Sequence, residues 1–114
     1  MLLKNYNRKS KIMEKDVLRL CIDWLTLTKW CVFRLNNVGV YNPRTRSYFF
    51  KGRRGLPDIM AFKPKKPVLF VECKREKGKL TQEQKDTLEI INQTLSIGIC
   101  VHSLEELQQK TKDL

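Results

Sequence analysis

Two carboxylates and an amine stand in this chain where a strand should be purely apolar. Val68-Leu69-Phe70-Val71 is built for burial, yet it runs straight into Glu72-Cys73-Lys74. Asp58, preceded by Pro57, opens the apolar segment before it. Alternation along an extended strand puts Glu72 and Lys74 on one face, and hairpin pairing can bring Asp58 beside them. A buried carboxylate is costly unless it is paired or holds a metal. A divalent cation supplies that compensation, because Mg²⁺ takes hard oxygen ligands and needs only one or two carboxylates plus phosphate oxygens of a substrate. Asp58 and Glu72 meet this demand, and the main-chain carbonyl of Cys73 could add a third oxygen. Lys74 could then orient an acidified water or stabilise charge developing at phosphorus, which is the chemistry of phosphodiester hydrolysis. The alternative is a Glu72–Lys74 ion pair at a strand end with Asp58 capping the Pro57 turn, since a D…ExK spacing also arises by chance.

The other reactive side chains form no such set. Cysteines stand at 21, 31, 73 and 100, with no CxxC pair and one histidine in the whole chain. Zinc ligation is therefore not expected, and the four are expected as buried, reduced thiols. His102 has no serine or cysteine at motif spacing and is expected as an ordinary residue at a strand end.

Charge points to a partner. The 114 residues carry 23 Lys and Arg against 12 Asp and Glu, a net +11. Residues 1–57 hold 13 bases and 3 acids, whereas residues 58–114 hold 10 and 9. Such a basic half is compensated by a polyanion or an anionic membrane surface. No stretch approaches the ~20 apolar residues of a membrane span, and the opening MLLKNYNRKSK lacks the apolar run of a secretory signal. Nucleic acid is the expected partner, no membrane is expected, and the cytoplasm is the expected location. Apolar residues at 41% and charged residues at 31% suit a folded core and exclude a disordered polyelectrolyte. The length suits one domain, 1–114 with a basic tail over 1–10, and is too short for a two-domain enzyme.

The elements that must position these groups can be read from periodicity. Ser10 can cap a helix from about Lys11 to Lys29, with Met13, Val17, Leu20, Cys21, Trp24 and Leu27 as its apolar stripe. On that helix Glu14 falls within about 40° of Leu18, Cys21 and Leu25, so one acid borders the core. Strands are expected over Cys31–Leu35, Val38–Tyr41 and Ser47–Phe50, with a turn at Asn42-Pro43-Arg44. A second hairpin pairs Asp58–Phe62 with Val68–Lys74. Thr81-Gln82-Glu83-Gln84 has the form of a capping box, opening a helix whose Leu88, Ile91 and Leu95 should face the core and which Gly98 should stop. Ile99–His102 can return as a strand parallel to an earlier one, and Ser103-Leu104-Glu105-Glu106 opens a terminal helix through a second capping box. The expected class is α/β, a central mixed sheet flanked by helices in the order helix, antiparallel strands, helix, strand, helix.

Gly55-Leu56-Pro57-Asp58, then Val71-Glu72-Cys73-Lys74, then Gly78-Lys79-Leu80-Thr81 with Gln84, resembles the PD-(D/E)XK nuclease superfamily. Within it the chain is most similar to the VRR-NUC, or virus-type replication-repair nuclease, domains of stand-alone phage and bacterial type. Their elements are a GxPD turn, an ExK strand, a K-L-[ST]-x-x-Q loop entering a helix, and a final strand and helix. The likeness spans about residues 14–110. It implies a restriction-endonuclease-like core, Asp58 and Glu72 as metal ligands, Lys74 as the catalytic lysine and Gln84 beside them. Gln84 reads equally well as a capping-box residue. Glu14 matches an acid that many such nucleases carry on the first helix, where it can bind metal directly or through water; an acid there also suits the helix dipole. Phe33-Arg34-Leu35-Asn36 resembles a family stretch ahead of the GxPD turn and receives no role beyond lining the cleft.

The expected activity is that of a Mg²⁺- or Mn²⁺-dependent endonuclease acting on DNA phosphodiesters. Arg44 and Arg46 in the first hairpin turn, with Lys51, Arg53 and Arg54 ahead of the GxPD turn, are the expected phosphate contacts, which carry little sequence information. Tyr41, Tyr48, Phe49 and Phe50 could stack bases or pack in the core. A preference for branched or Holliday-junction DNA, as in DNA repair, is implied by the resemblance alone. Concerted cutting of two strands by so small a chain calls for a homodimer. The rival readings are a non-catalytic nucleic-acid-binding module and a subunit of a larger nuclease or helicase assembly.

Overall fold

The computed structural model describes residues 11–35, 40–49 and 53–114. Among the described residues the first helix, α1 (Glu14–Leu27), leads into strand β1 (Cys31–Arg34) and a short hairpin of β2 (Val40–Asn42) and β3 (Ser47–Phe49). Strands β4 (Ile59–Phe62) and β5 (Leu69–Cys73) follow, then α2 (Gln82–Asn92), β6 (Ile97–Val101) and α3 (Leu104–Thr111). The central sheet has the order β1-β4-β5-β6. β4 pairs antiparallel with both β1 and β5, and β6 lies parallel to β5 after the α2 crossover. This is the mixed, open, helix-flanked sheet expected of a restriction-endonuclease-like core. Among the described residues, β2 and β3 pair with each other as a separate two-stranded sheet.

Strand alternation sorts the sheet into two faces. Ile59, Ala61, Leu69, Val71, Cys73 and Val101 form one core with Val17, Cys21 and Leu25 of α1 and Leu107 of α3. The opposite face belongs to α2. A Cβ on Gly98 would meet Leu88 Cδ2 at 3.0 Å and Ile91 Cγ2 at 3.1 Å, so the missing side chain lets this helix lie directly on β6. β5 is covered on both sides, which is why its sequence is apolar without a break until Glu72.

Several expectations shift. α1 begins at Glu14, with the Met13 N–H donating to Asp16 Oδ2 at 2.9 Å, and the proposed cap Ser10 lies outside the described residues. Its buried stripe is Val17, Cys21 and Leu25, whereas Leu20 and Leu27 are exposed. Centred on Cys21, those two leucines lie about 100° and 120° round the helix, too far to reach the sheet. Nor does Leu95 face the core: it is 94% exposed. α2 ends at Asn92, whose side-chain amide donates to Gly98 O and accepts from Gly98 N, both at 2.8 Å. Gly98 is thus an interior residue of β6 rather than a helix stop. The Ser103 cap forms, its hydroxyl accepting from the Glu106 N–H at 3.1 Å, but the Glu106 carboxylate turns instead to His102. Cys21 and Cys73 are buried thiols, Cys100 is half-buried, and Cys31, on the edge strand, is exposed.

Candidate metal centre

The β4–β5 hairpin brings the first pair of acids together. Ile59 pairs with Val71, so Asp58 falls just beyond the last paired residues, level with the end of β5. Its Oδ2 accepts the Cys73 N–H at 2.8 Å, which ties the turn to the strand carrying Glu72. Alternation places Asp58 and Glu72 on the face away from the apolar core. Glu14, the first residue of α1, arrives from the other layer around the end of the sheet, because the Val17–Cys21–Leu25 stripe docks that helix. One carboxylate oxygen from each of Glu14, Asp58 and Glu72 lies within 4.8 Å of the others.

Lys74 stands over this group. Its Nζ is 3.6 Å from Glu72 Oε1 and 3.7 Å from Glu14 Oε1, with the lysine side chain only 14% exposed. Glu72 itself is 2% exposed. Its Oε1 also accepts from Gln84 Nε2 at 2.8 Å, while Oε2 is buried without a hydrogen-bond partner among the described residues. Burial, followed by repulsion from Asp58, pushes the Glu72 carboxyl up to about 7 despite the Lys74 charge. Burial also raises Asp58, outweighing the hydrogen bond from the Cys73 amide. Two acids that resist ionisation, one of them with a bare buried oxygen, fit a hard divalent cation: it would satisfy that oxygen and offset the repulsion.

Gln84 both caps α2 and reaches Glu72. Its Oε1 accepts from the Thr81 N–H at 2.9 Å and its backbone N–H donates to Thr81 Oγ1 at 3.2 Å, completing the capping box. Its Nε2 is left to hold Glu72. Gly55 explains how the turn reaches this helix. With φ at +87°, it packs so closely that a Cβ would lie 2.5 Å from Glu83 O. The glycine of the GxPD turn therefore sets the distance between Asp58 and α2. Cys73 directs its thiol into the core, where contact with Cys21 and burial hold it protonated. Its N–H points toward Asp58, and an extended residue presents its carbonyl on the same edge as its N–H.

The basic residues are dispersed. Arg44 and Arg46 are exposed in the β2–β3 turn, where the Arg44 N–H donates to Asn42 Oδ1 at 3.0 Å and Arg46 takes a positive φ of 53°. Arg53 and Arg54 are exposed along the first turns of α2: Arg53 Nε donates to Thr87 Oγ1 at 3.4 Å, and the Thr87 hydroxyl lies 3.3 Å from Arg54 O. Lys51 and Phe50 lie outside the described residues. Thr87 was not singled out by its sequence, where it looks like any helix residue; only its burial marks it. Arg34 is exposed at the end of β1, close enough to Asp58 to draw its carboxyl pKa down against the effect of burial. His102 sits immediately after β6, between Glu106 Oε1 at 2.9 Å and Gly78 O at 3.0 Å, as the strand-end residue expected.

The sequence pattern of the VRR-NUC domain matches residues 41–103, more than half of the chain. The match takes in Asp58, Glu72, Lys74 and Gln84, and begins after Glu14. No curated protein and no solved structure matches the chain.

Proposed function

Since the chain belongs to the VRR-NUC domain family, and so to the nucleases of the PD-(D/E)XK type, we propose that it is a Mg²⁺- or Mn²⁺-dependent endonuclease hydrolysing DNA phosphodiesters. The observation that carries this reading is the buried Oε2 of Glu72, without a hydrogen-bond partner among the described residues, on a side chain that stands beside Asp58, Glu14 and Lys74. A purely structural ion pair would leave no reason to bury an unpaired carboxylate oxygen, which costs on the order of 1–3 kcal/mol.

Asp58 and Glu72 would hold the cation, with the Cys73 carbonyl and Glu14 completing the protein's share of oxygens. When bound, the cation supplies Lewis acidity to the scissile phosphate and to water. Lys74, no longer the sole counter-charge for two glutamates, would turn its ammonium to the nucleophile or to the charge developing at phosphorus. Gln84 would hold Glu72 in its ligating rotamer through Oε1, leaving Oε2 for the metal. Arg44, Arg46, Lys51, Arg53 and Arg54 would grip backbone phosphates without reading bases. Branched or Holliday-junction DNA is the proposed preferred substrate. Its two strands would be cut by a homodimer, one active site per protomer.

The test is incubation of plasmid DNA and synthetic four-way junctions with the protein in Mg²⁺ or Mn²⁺, alongside Glu72→Ala and Lys74→Ala. Metal-dependent cleavage that both substitutions abolish is the expected result. Cleavage by the variants equal to that of the unmodified protein would remove the assignment, and binding without cleavage would favour a nucleic-acid-binding module. Sedimentation of a monomer at micromolar concentration, combined with concerted junction cutting, would rule out the dimer.

A further inference from the structure

A second cluster of cations lies on the α1 side of the molecule, apart from the arginines ahead of the GxPD turn. The outer face of α1 and the end of β1 enclose a groove of ≈ 420 Å³ lined by Lys15, Asp16, Leu18, Arg19, Ile22 and Arg34. Lys15, Arg19 and Arg34 are all exposed. Asp16 is the one acid among the lining residues: its Oδ2 accepts the Met13 N–H at 2.9 Å, and its Oδ1 lies 3.8 Å from Arg19 Nη2, so it offsets one of the three cations. Three cations against one carboxylate still leave the groove net positive, with Lys15 and Arg34 beyond the Arg19–Asp16 pair, and Leu18 and Ile22 give it an apolar floor.

Its position matters as much as its charge. Lys15 follows Glu14 in the chain. At the other wall, the Leu35 N–H donates to the Asp58 carbonyl at 2.7 Å, so Arg34 ends beside the metal-binding turn. The groove therefore opens next to the carboxylate cluster.

We propose that this groove carries the sugar-phosphate backbone of the substrate strand flanking the scissile phosphate, with Lys15, Arg19 and Arg34 as its phosphate contacts. The inference rests on the nuclease reading above and adds to it the path of the strand. Sugar and backbone would lie over Leu18 and Ile22 while the three cations neutralise successive phosphates. Such contacts fix register on the strand without selecting bases.

The test compares three variants with the unmodified protein: Lys15→Gln/Arg19→Gln, Arg34→Gln, and a charge-matched control, Lys65→Gln/Lys66→Gln. The control residues lie in the β4–β5 turn, at the opposite end of the hairpin from Asp58. Binding to labelled DNA is measured in chelator, so that nothing is cut, across a salt series; KM and kcat are measured separately in Mg²⁺ or Mn²⁺. The groove double variant is expected to bind roughly tenfold more weakly and to lose about one to two units of the log–log salt slope, with the control nearly unchanged. Arg34→Gln is expected to raise KM with kcat held within about threefold, as uniform binding loss requires. Equal loss in groove and control variants would overturn the groove, leaving only net charge. A fall in kcat at constant KM for Arg34→Gln would overturn its place on the strand path and make it a partner of Asp58. Absence of hydrolysis by every protein, the unmodified one included, would overturn the nuclease reading instead, while the binding series still decides the groove.

Discussion

At the scale of single residues, the proposed metal site turns on Glu72. Its carboxyl keeps its proton up to about pH 7 in the folded protein, against an ordinary value of 4.5. Between those limits the metal-free fold binds more protons than the unfolded chain. The stability from this group is therefore complete below about 4.5 and is lost as pH rises through about 7. Asp58, also raised, acts in the same direction. A cation held by these oxygens competes with the protons, so thermal stabilisation by Mn²⁺ is expected to grow over the same interval. Melting curves with and without Mn²⁺ at several pH values check this, and a gap that does not widen with pH counts against Glu72 as a ligand. Glu72→Gln is expected to flatten the pH dependence of the metal-free protein and to remove the Mn²⁺ effect. For Lys74→Ala, with its ammonium 3.6 Å from Glu72, the expected loss in kcat is on the order of 10²–10³, or about 3–4 kcal/mol, measured under single-turnover conditions.

At the scale of elements, the site depends on how α2 meets the GxPD turn. Gly55 has a positive φ and touches the backbone of Glu83, so Gly55→Ala meets both backbone strain and a steric block. A cost of about 1–3 kcal/mol is expected in urea unfolding, together with weaker cleavage as Asp58 and Gln84 move apart. The capping box allows a sharper comparison. Thr81→Ala removes the hydroxyl that accepts the Gln84 N–H and is expected to cost about 1 kcal/mol of stability with little change in kcat. Gln84→Ala removes a similar cap contact and also the bond to Glu72, so its kcat should fall well below that of Thr81→Ala. Equal kcat values for the two variants would confine Gln84 to capping. The elements themselves were readable because their signals are local: the antiparallel hairpin, the crossover helix and the parallel return follow from apolar runs and turn residues. The phase of α1 was less so. Met13, Leu20 and Leu27 are as apolar as Val17 and Leu25, and only the docked sheet decides which arc of the helix is buried.

Across the whole molecule the governing quantity is charge. A chain of +11 with exposed bases on the β2–β3 turn, along α2 and in the α1–β1 groove should bind DNA through phosphates. For about five phosphate contacts, affinity is expected to fall on the order of 10²–10³-fold between roughly 50 and 200 mM salt. Anisotropy titrations across that range check the slope, and an affinity indifferent to salt would contradict phosphate-led binding. None of the helices in the described residues is long and apolar enough to cross a membrane.

Residue order alone determined the α/β class, the D…ExK acids and the Thr81–Gln84 capping box, because strand alternation and helix capping act over a few residues and leave a local imprint. It could also place Glu14 near the core edge, through helical periodicity. What it could not decide were relations set by packing between layers. Glu14 and Glu72 are far apart in the chain and meet at Lys74 only because α1 docks on one face of the sheet and ends at its rim. The division of one Gln84 side chain between cap and carboxylate, and the isolation of Glu72 Oε2, likewise depend on α2 lying against Gly55 and Gly98. Those distances arise from close-packed contact between elements, and no periodicity along the chain encodes them.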